Sequence, residues 1–96
     1  MEKRKIKCYL CGHEAEEQDT VDTPLDVLVT CPDCTEYILT FAGMKYYFER
    51  SEGKELLTTV HKKELAENVK RHFEEEGEPL TLNSKTIEAV TGVVSI

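Results

Sequence analysis

The chain has 96 residues, 40% of them hydrophobic and 32% charged, with 19 acidic against 12 basic side chains and a formal charge of −7. That length fits one small domain, able to bury only about two-thirds of the surface its unfolded chain exposes, and the balance is too apolar for a disordered chain and too polar for a membrane protein. No apolar run approaches the ~20 residues that cross a bilayer, and no apolar stretch or cleavage site follows the basic start MEKRKIKCYL, so the expectation is a soluble, cytoplasmic protein.

In chain order, Ile6, Cys8 and Leu10 alternate with polar positions and predict a short strand entering the turn CYLCGH. The acidic segment EAEEQDTVDTP, which carries Pro24, reads as a solvated hairpin end or loop. Leu25–Thr30 is rich in β-branched residues and predicts a strand running into Cys31, with Tyr37–Thr40 as its partner after the turn CPDC. Thr40 can cap a helix whose apolar residues Phe41, Met44, Tyr47 and Phe48 recur at helical spacing, and Ser51-Glu52-Gly53 supplies a stop. A longer helix is expected from near Thr59 to Glu76, with Leu65, Val69, His72 and Phe73 as its apolar stripe and Gly77 at its end. PLTLN then reads as a short extended segment, SKTIEAVTG as a last short helix, and Val93-Val94-Ser95-Ile96 as an apolar tail.

The four cysteines fall into two pairs, Cys8-x2-Cys11 and Cys31-x2-Cys34, with 19 residues between them. This is four-cysteine zinc spacing. Zinc imposes no d-electron geometry and accepts four thiolates tetrahedrally, while a turn with two intervening residues aims both sulfurs of a pair at one point. A disulfide framework suits a secreted protein, a thioredoxin-like couple needs one pair beside a βαβ pattern, and an iron–sulfur cluster is a further rival; the doubled pair favours zinc over all three. A catalytic zinc keeps an open coordination position, which four thiolates close, and the nucleobase-deaminase signature is missing because Ala15 and Thr30 stand where it needs Glu and Pro. The site read from the sequence is therefore one structural Zn2+ on Cys8, Cys11, Cys31 and Cys34, with His13 exposed or hydrogen-bonded to a ligating sulfur.

CYLCGH and CPDCTEY resemble the two knuckles of a zinc ribbon over roughly residues 5–40, with Gly12 after the first pair and Pro32 inside the second. Gly12 suits a position of positive φ, and Thr35 departs from the pattern at the equivalent place. The resemblance implies a zinc ribbon over residues 1–40; its small sheet cannot bury both faces alone, so the helical part, 41–96, is expected to pack on it as one cooperative domain, an α+β fold with a small N-terminal antiparallel sheet and two to three helices. CYLCGH…VTCPDCTEYILT followed by ENVKRHFEEEGEPLTLNSKTIEAV is also similar in layout to zinc-ribbon modules at the front of bacterial defence-type multidomain proteins, which implies a prokaryotic or phage origin.

No Ser/His/Asp set, glycine-rich phosphate loop or open metal site is visible, so the chain is not expected to be an enzyme or to take a small-molecule substrate. The expected function is a protein-interaction, adaptor or regulatory module that binds a protein partner or a second copy, with no membrane. Nucleic-acid binding is the alternative, carried by Lys3-Arg4-Lys5, Lys7, Lys62-Lys63 and Lys70-Arg71 and opposed by the acidic balance. The layout also resembles transcription factors that insert an acidic zinc-ribbon hairpin into an RNA polymerase channel; Glu14–Asp26 is acidic enough but lacks their adjacent Asp-Glu pair. Phe41, Tyr46, Tyr47 and Phe48 are expected to fill the core, with the tyrosine hydroxyls reaching solvent, and His61 and His72 to lie at the surface or half-buried.

Overall fold

The computed structural model describes residues 3–20, 25–48 and 57–93. Five strands, β1 (Arg4–Lys7), β2 (Glu14–Asp19), β3 (Val27–Cys31), β4 (Thr35–Leu39) and β5 (Leu80–Leu82), form one sheet in sequential order. The first three pairings are antiparallel and β4–β5 is parallel, giving with the helices an α+β fold.

The largest departure from the sequence reading is β2. Expected as a solvated hairpin end or loop, Glu14–Asp19 is an interior strand, with β1 on one side and β3 on the other. Glutamates are poor strand formers alone, but strand preference yields to cross-strand partners. Here Arg4 lies opposite Glu17, Lys5 opposite Glu16 and Lys7 opposite Glu14, so a basic strand pairs with an acidic one at three of four registered positions. Arg4 Nη2 reaches Glu17 at 2.8 Å and Asp19 at 3.0 Å. Val21–Pro24, the rest of that predicted loop, lies outside the described residues.

Other boundaries shift for local reasons. β1 stops at Lys7 because the chain turns at Cys8, whose carbonyl accepts from Gly12 and whose N–H donates to the His13 carbonyl. β3 begins at Val27, not Leu25, which stands exposed. Thr40 lies beyond β4 because it caps α1 (Phe41–Gly43), its hydroxyl accepting from the Gly43 N–H. A π-helical turn, Met44–Phe48, continues α1. The expected stop at Ser51-Glu52-Gly53 and the tail residues Val94–Ile96 lie outside the described residues.

The long helix α2 (Thr59–Glu76) has the expected bounds. Thr58 accepts from the His61 N–H while His61 Nδ1 accepts from the Thr58 N–H, a reciprocal cap that gives half-buried His61 a structural role. Leu65 and Val69 of the stripe are fully buried, and His72 and Phe73 half-buried. α2 packs against β4, β5 and α3 (Ser84–Thr91), which Asn83 caps. At the seam between α1 and β5, a Cβ on Gly43 would stand 2.6 Å from the Leu82 carbonyl oxygen, so only glycine allows that approach.

The core runs from Val27, Val29, Tyr37 and Leu39 through Tyr47 and Leu57 to Leu65, Val69, Leu82 and Ile87. The aromatic set divides instead of filling it together. Tyr47 is buried and its hydroxyl donates to the Val93 carbonyl rather than to solvent, Phe48 packs edge-on against Tyr9, and Phe41 and Tyr46 are exposed. No helix among the described residues is long and apolar enough to cross a membrane.

Candidate metal centre

Two tight turns project four sulfurs toward one another. The first links β1 to β2 through Cys8–His13, and Gly12, at φ +77°, turns the chain back. The second links β3 to β4, with Cys31 the last residue of β3, Cys34 in the turn and Thr35 opposite Cys31 in the ladder. Antiparallel pairing of β2 with β3 brings the two turns to the same end of the sheet.

Cys8, Cys11, Cys31 and Cys34 thereby come together, with every sulfur within 4.8 Å of the others. The Cys8–Cys34 separation is 3.8 Å and Cys11–Cys31 is 3.5 Å, far longer than the ~2.05 Å of a disulfide bond. Cys8, Cys31 and Cys34 are buried and Cys11 is half-buried. All four sequence-predicted ligands converge, in an arrangement compatible with a metal ion.

The electrostatics favour thiolate at one corner first. Hydrogen bonding with Cys34, aided by the Tyr37 hydroxyl, pulls Cys8 down to about 4 against the effect of burial. Burial pushes Cys11 up to about 11. Cys34 is raised by its hydrogen bond with Cys8, then by burial. A metal ion must displace the protons these thiols still hold, so assembly of the full thiolate set is coupled to metal binding.

Tyr37 is the functional neighbour that the sequence reading missed. Fully buried on β4, it sets its hydroxyl 3.3 Å from Cys8 Sγ and accepts from the Tyr9 N–H at 3.3 Å. Burial, then the charge on Cys8, raises its pKa and keeps it a neutral donor. The available signal was strand alternation: Thr35, Tyr37 and Leu39 share one face, and in the ladder Thr35 stands opposite Cys31.

His13 is exposed and outside the four-sulfur set; its Nδ1 contacts the Asp33 carboxylate, clasping the first turn to the second. Thr35, the departure from the ribbon pattern, nonetheless takes the left-handed backbone that Gly12 takes in the first turn, at φ +73°. Its buried hydroxyl oxygen has no hydrogen-bond partner among the described residues. Beside the second turn runs a cleft of about 840 Å³, with Ile6, Ala15, Pro32 and Phe73 among its apolar lining and Lys5 and Glu16 among its charged residues. Compared with known proteins, the chain matches no family model, no curated protein and no solved structure.

Proposed function

We propose that the chain is a structural zinc-binding protein of zinc-ribbon type that acts by binding, as a protein-interaction or adaptor module of the cytoplasm, and not by catalysis. The observation that carries this reading is the convergence of four thiols from two turns. Four sulfurs on one tetrahedral zinc at ~2.3 Å lie ~3.8 Å apart, which the separations of 3.8 and 3.5 Å approach. An all-sulfur donor set suits soft or borderline ions and disfavours calcium and magnesium, which take oxygen. Four thiolates close the coordination shell, so the ion braces the two turns, and Tyr37 supports Cys8 from behind.

Charge pairing supports a protein partner over nucleic acid. Arg4 is held by Glu17 and Asp19, and Lys5 and Lys7 face Glu16 and Glu14, so the basic start is matched within its own sheet. The acidic segment is likewise a paired strand over Glu14–Asp19, which weakens the analogy to an inserted acidic hairpin. Leu25, Phe41, Tyr46 and Val60 are large apolar side chains open to contact, and the cleft beside the second turn offers an apolar floor with a mixed-charge rim.

Metal analysis by mass spectrometry, with and without chelator, tests the first step. The expected result is one tightly held zinc whose removal unfolds residues 5–40; a chain that folds equally well without metal overturns it. Affinity purification of partners beside a nucleic-acid shift assay at moderate salt tests the second. Salt-sensitive DNA or RNA binding that is lost on changing Lys3, Arg4 and Lys5 would replace the protein-partner reading with the nucleic-acid one.

A further inference from the structure

The geometry points to a second cation site, on the surface of the two turns, built from Cys11 Sγ, His13 Nδ1 and an Asp33 carboxylate oxygen and sharing the Cys11 sulfur with the four-cysteine centre. These three atoms lie within 4.8 Å of one another. Cys11 is the least buried of the four cysteines, and His13 and Asp33 are exposed, so the set opens to solvent where the four-sulfur set is closed. A thiolate bound to one ion keeps lone pairs, and bridging thiolates use them for a second.

The donors define the ligand. One sulfur, one imidazole nitrogen and one carboxylate oxygen match a borderline divalent ion such as Zn2+ or Co2+ and fit neither Ca2+ nor Mg2+. Three protein ligands with a position left for water is the pattern of an exchangeable zinc, in contrast to the closed four-thiolate shell. Two independent segments supply the donors: His13 follows the first cysteine pair and Asp33 sits inside the second. Formation of the four-sulfur centre therefore preorganises the second site, and the His13–Asp33 contact already holds two of its donors together. A nitrogen and an oxygen on one tetrahedral ion at ~2.0–2.1 Å stand ~3.4 Å apart, so His13 and Asp33 exchange their direct contact for bonds to the ion. This proposal rests on the four-cysteine reading through Cys11. It adds a surface position through which metal can be gained, exchanged or passed to another protein.

The test is a Zn2+ titration of the full chain, starting from protein dialysed to its tightly held ion and extending to about 1 mM, the weak end of specific binding. Ions are counted by native mass spectrometry and affinities read by calorimetry. Wild type is expected to take a second, weaker ion. His13→Asn and Asp33→Asn each weaken that second step by ~10-fold or more, the least that disturbing even a supporting group usually costs, and leave the first ion in place. Saturation at one ion overturns the proposal, as does a second ion whose affinity neither substitution changes. Loss of the first ion in these variants also overturns it, because the two residues then serve the four-sulfur centre. A chain that takes up no ion at all overturns both readings and is told apart by the missing first step.

Discussion

Between Cys8 and His13 and between Cys31 and Thr35, the fully turned-in side chains are Cys8, Leu10, Cys31 and Cys34, whereas α2, α3 and β5 turn in Leu65, Val69, Leu82 and Ile87. Apolar burial in the second region contributes ~1.5–3 kcal/mol per large side chain with no further requirement. On the proposed zinc reading, the sulfurs in the first contribute their main stabilisation when an ion joins them, because four small thiol side chains bury little apolar area and must shed protons to bind it. That reading makes the cysteine end conditional on metal and the helical layer unconditional, the two joined through β4, which carries both Tyr37 at the sulfurs and Leu39 in the core.

Cys34→Ser breaks this comparison most severely. Structural zinc sites in small domains contribute an apparent ~10–16 kcal/mol, more than any single core deletion at ~2–5 kcal/mol. Hydrogen exchange should show lost protection across residues 5–40, deepest at 8–13 and 31–35, with the amides around Leu65 and Val69 retaining more. Equal loss everywhere would show that the two regions form one cooperative unit.

Gly43→Ala probes the unconditional side. The new methyl meets the Leu82 carbonyl at 2.6 Å, and a backbone oxygen in a parallel strand cannot swing aside as a side chain does. The expected loss is ~2–3 kcal/mol, toward the upper end for overpacking and reduced slightly by alanine's better helix propensity. Thermal melts measure it. Metal content should remain one ion per chain; a fall in metal content would show that the seam between α1 and β5 reaches the sulfurs.

Legibility in the sequence divided along a different line, between local signals and distant partners. The bounds of α2 follow from a cap at Thr58, a stripe at Leu65 and Val69 and a stop at Gly77, all local signals. Cysteine spacing likewise marked the four converging residues, because a two-residue turn is local. What stayed hidden depends on distant partners. β2 has the composition of a loop and is made a strand by RKIK ten residues away, and β5 joins the sheet only through parallel pairing with β4 across the intervening helices. Tyr37 read as an ordinary strand aromatic because its contact, Cys8, lies 29 residues earlier.

Tyr37→Phe separates the two kinds of stability at one position. The ring remains in the core, while the hydroxyl that faces Cys8 and accepts from the Tyr9 N–H is removed. Metal affinity should fall ~10-fold or more, as for other groups that support a ligand, while the metal-free chain should lose only the ~0.5–1.5 kcal/mol of the Tyr9 hydrogen bond. Competition with a chromophoric chelator reads the first quantity. An unchanged affinity would make Tyr37 a packing residue only.

The smallest expected effect concerns Thr35, and its sign carries the argument. Left-handed backbone costs a residue with a Cβ ~1–2 kcal/mol, and β-branching makes φ +73° a more severe departure. Thr35→Gly removes that backbone cost and gives back ~0.5–1 kcal/mol through the greater freedom of glycine in the unfolded chain, for a net gain of about 1 kcal/mol. Thr35→Asn should recover part of that gain, since Asn tolerates the left-handed region. Melts of the metal-loaded chain test both. A gain in the order Gly, Asn, Thr means that the second turn carries strain which the sulfur site overcomes, whereas a loss on Thr35→Gly means that the threonine methyl or hydroxyl stabilises the turn by more than its backbone costs.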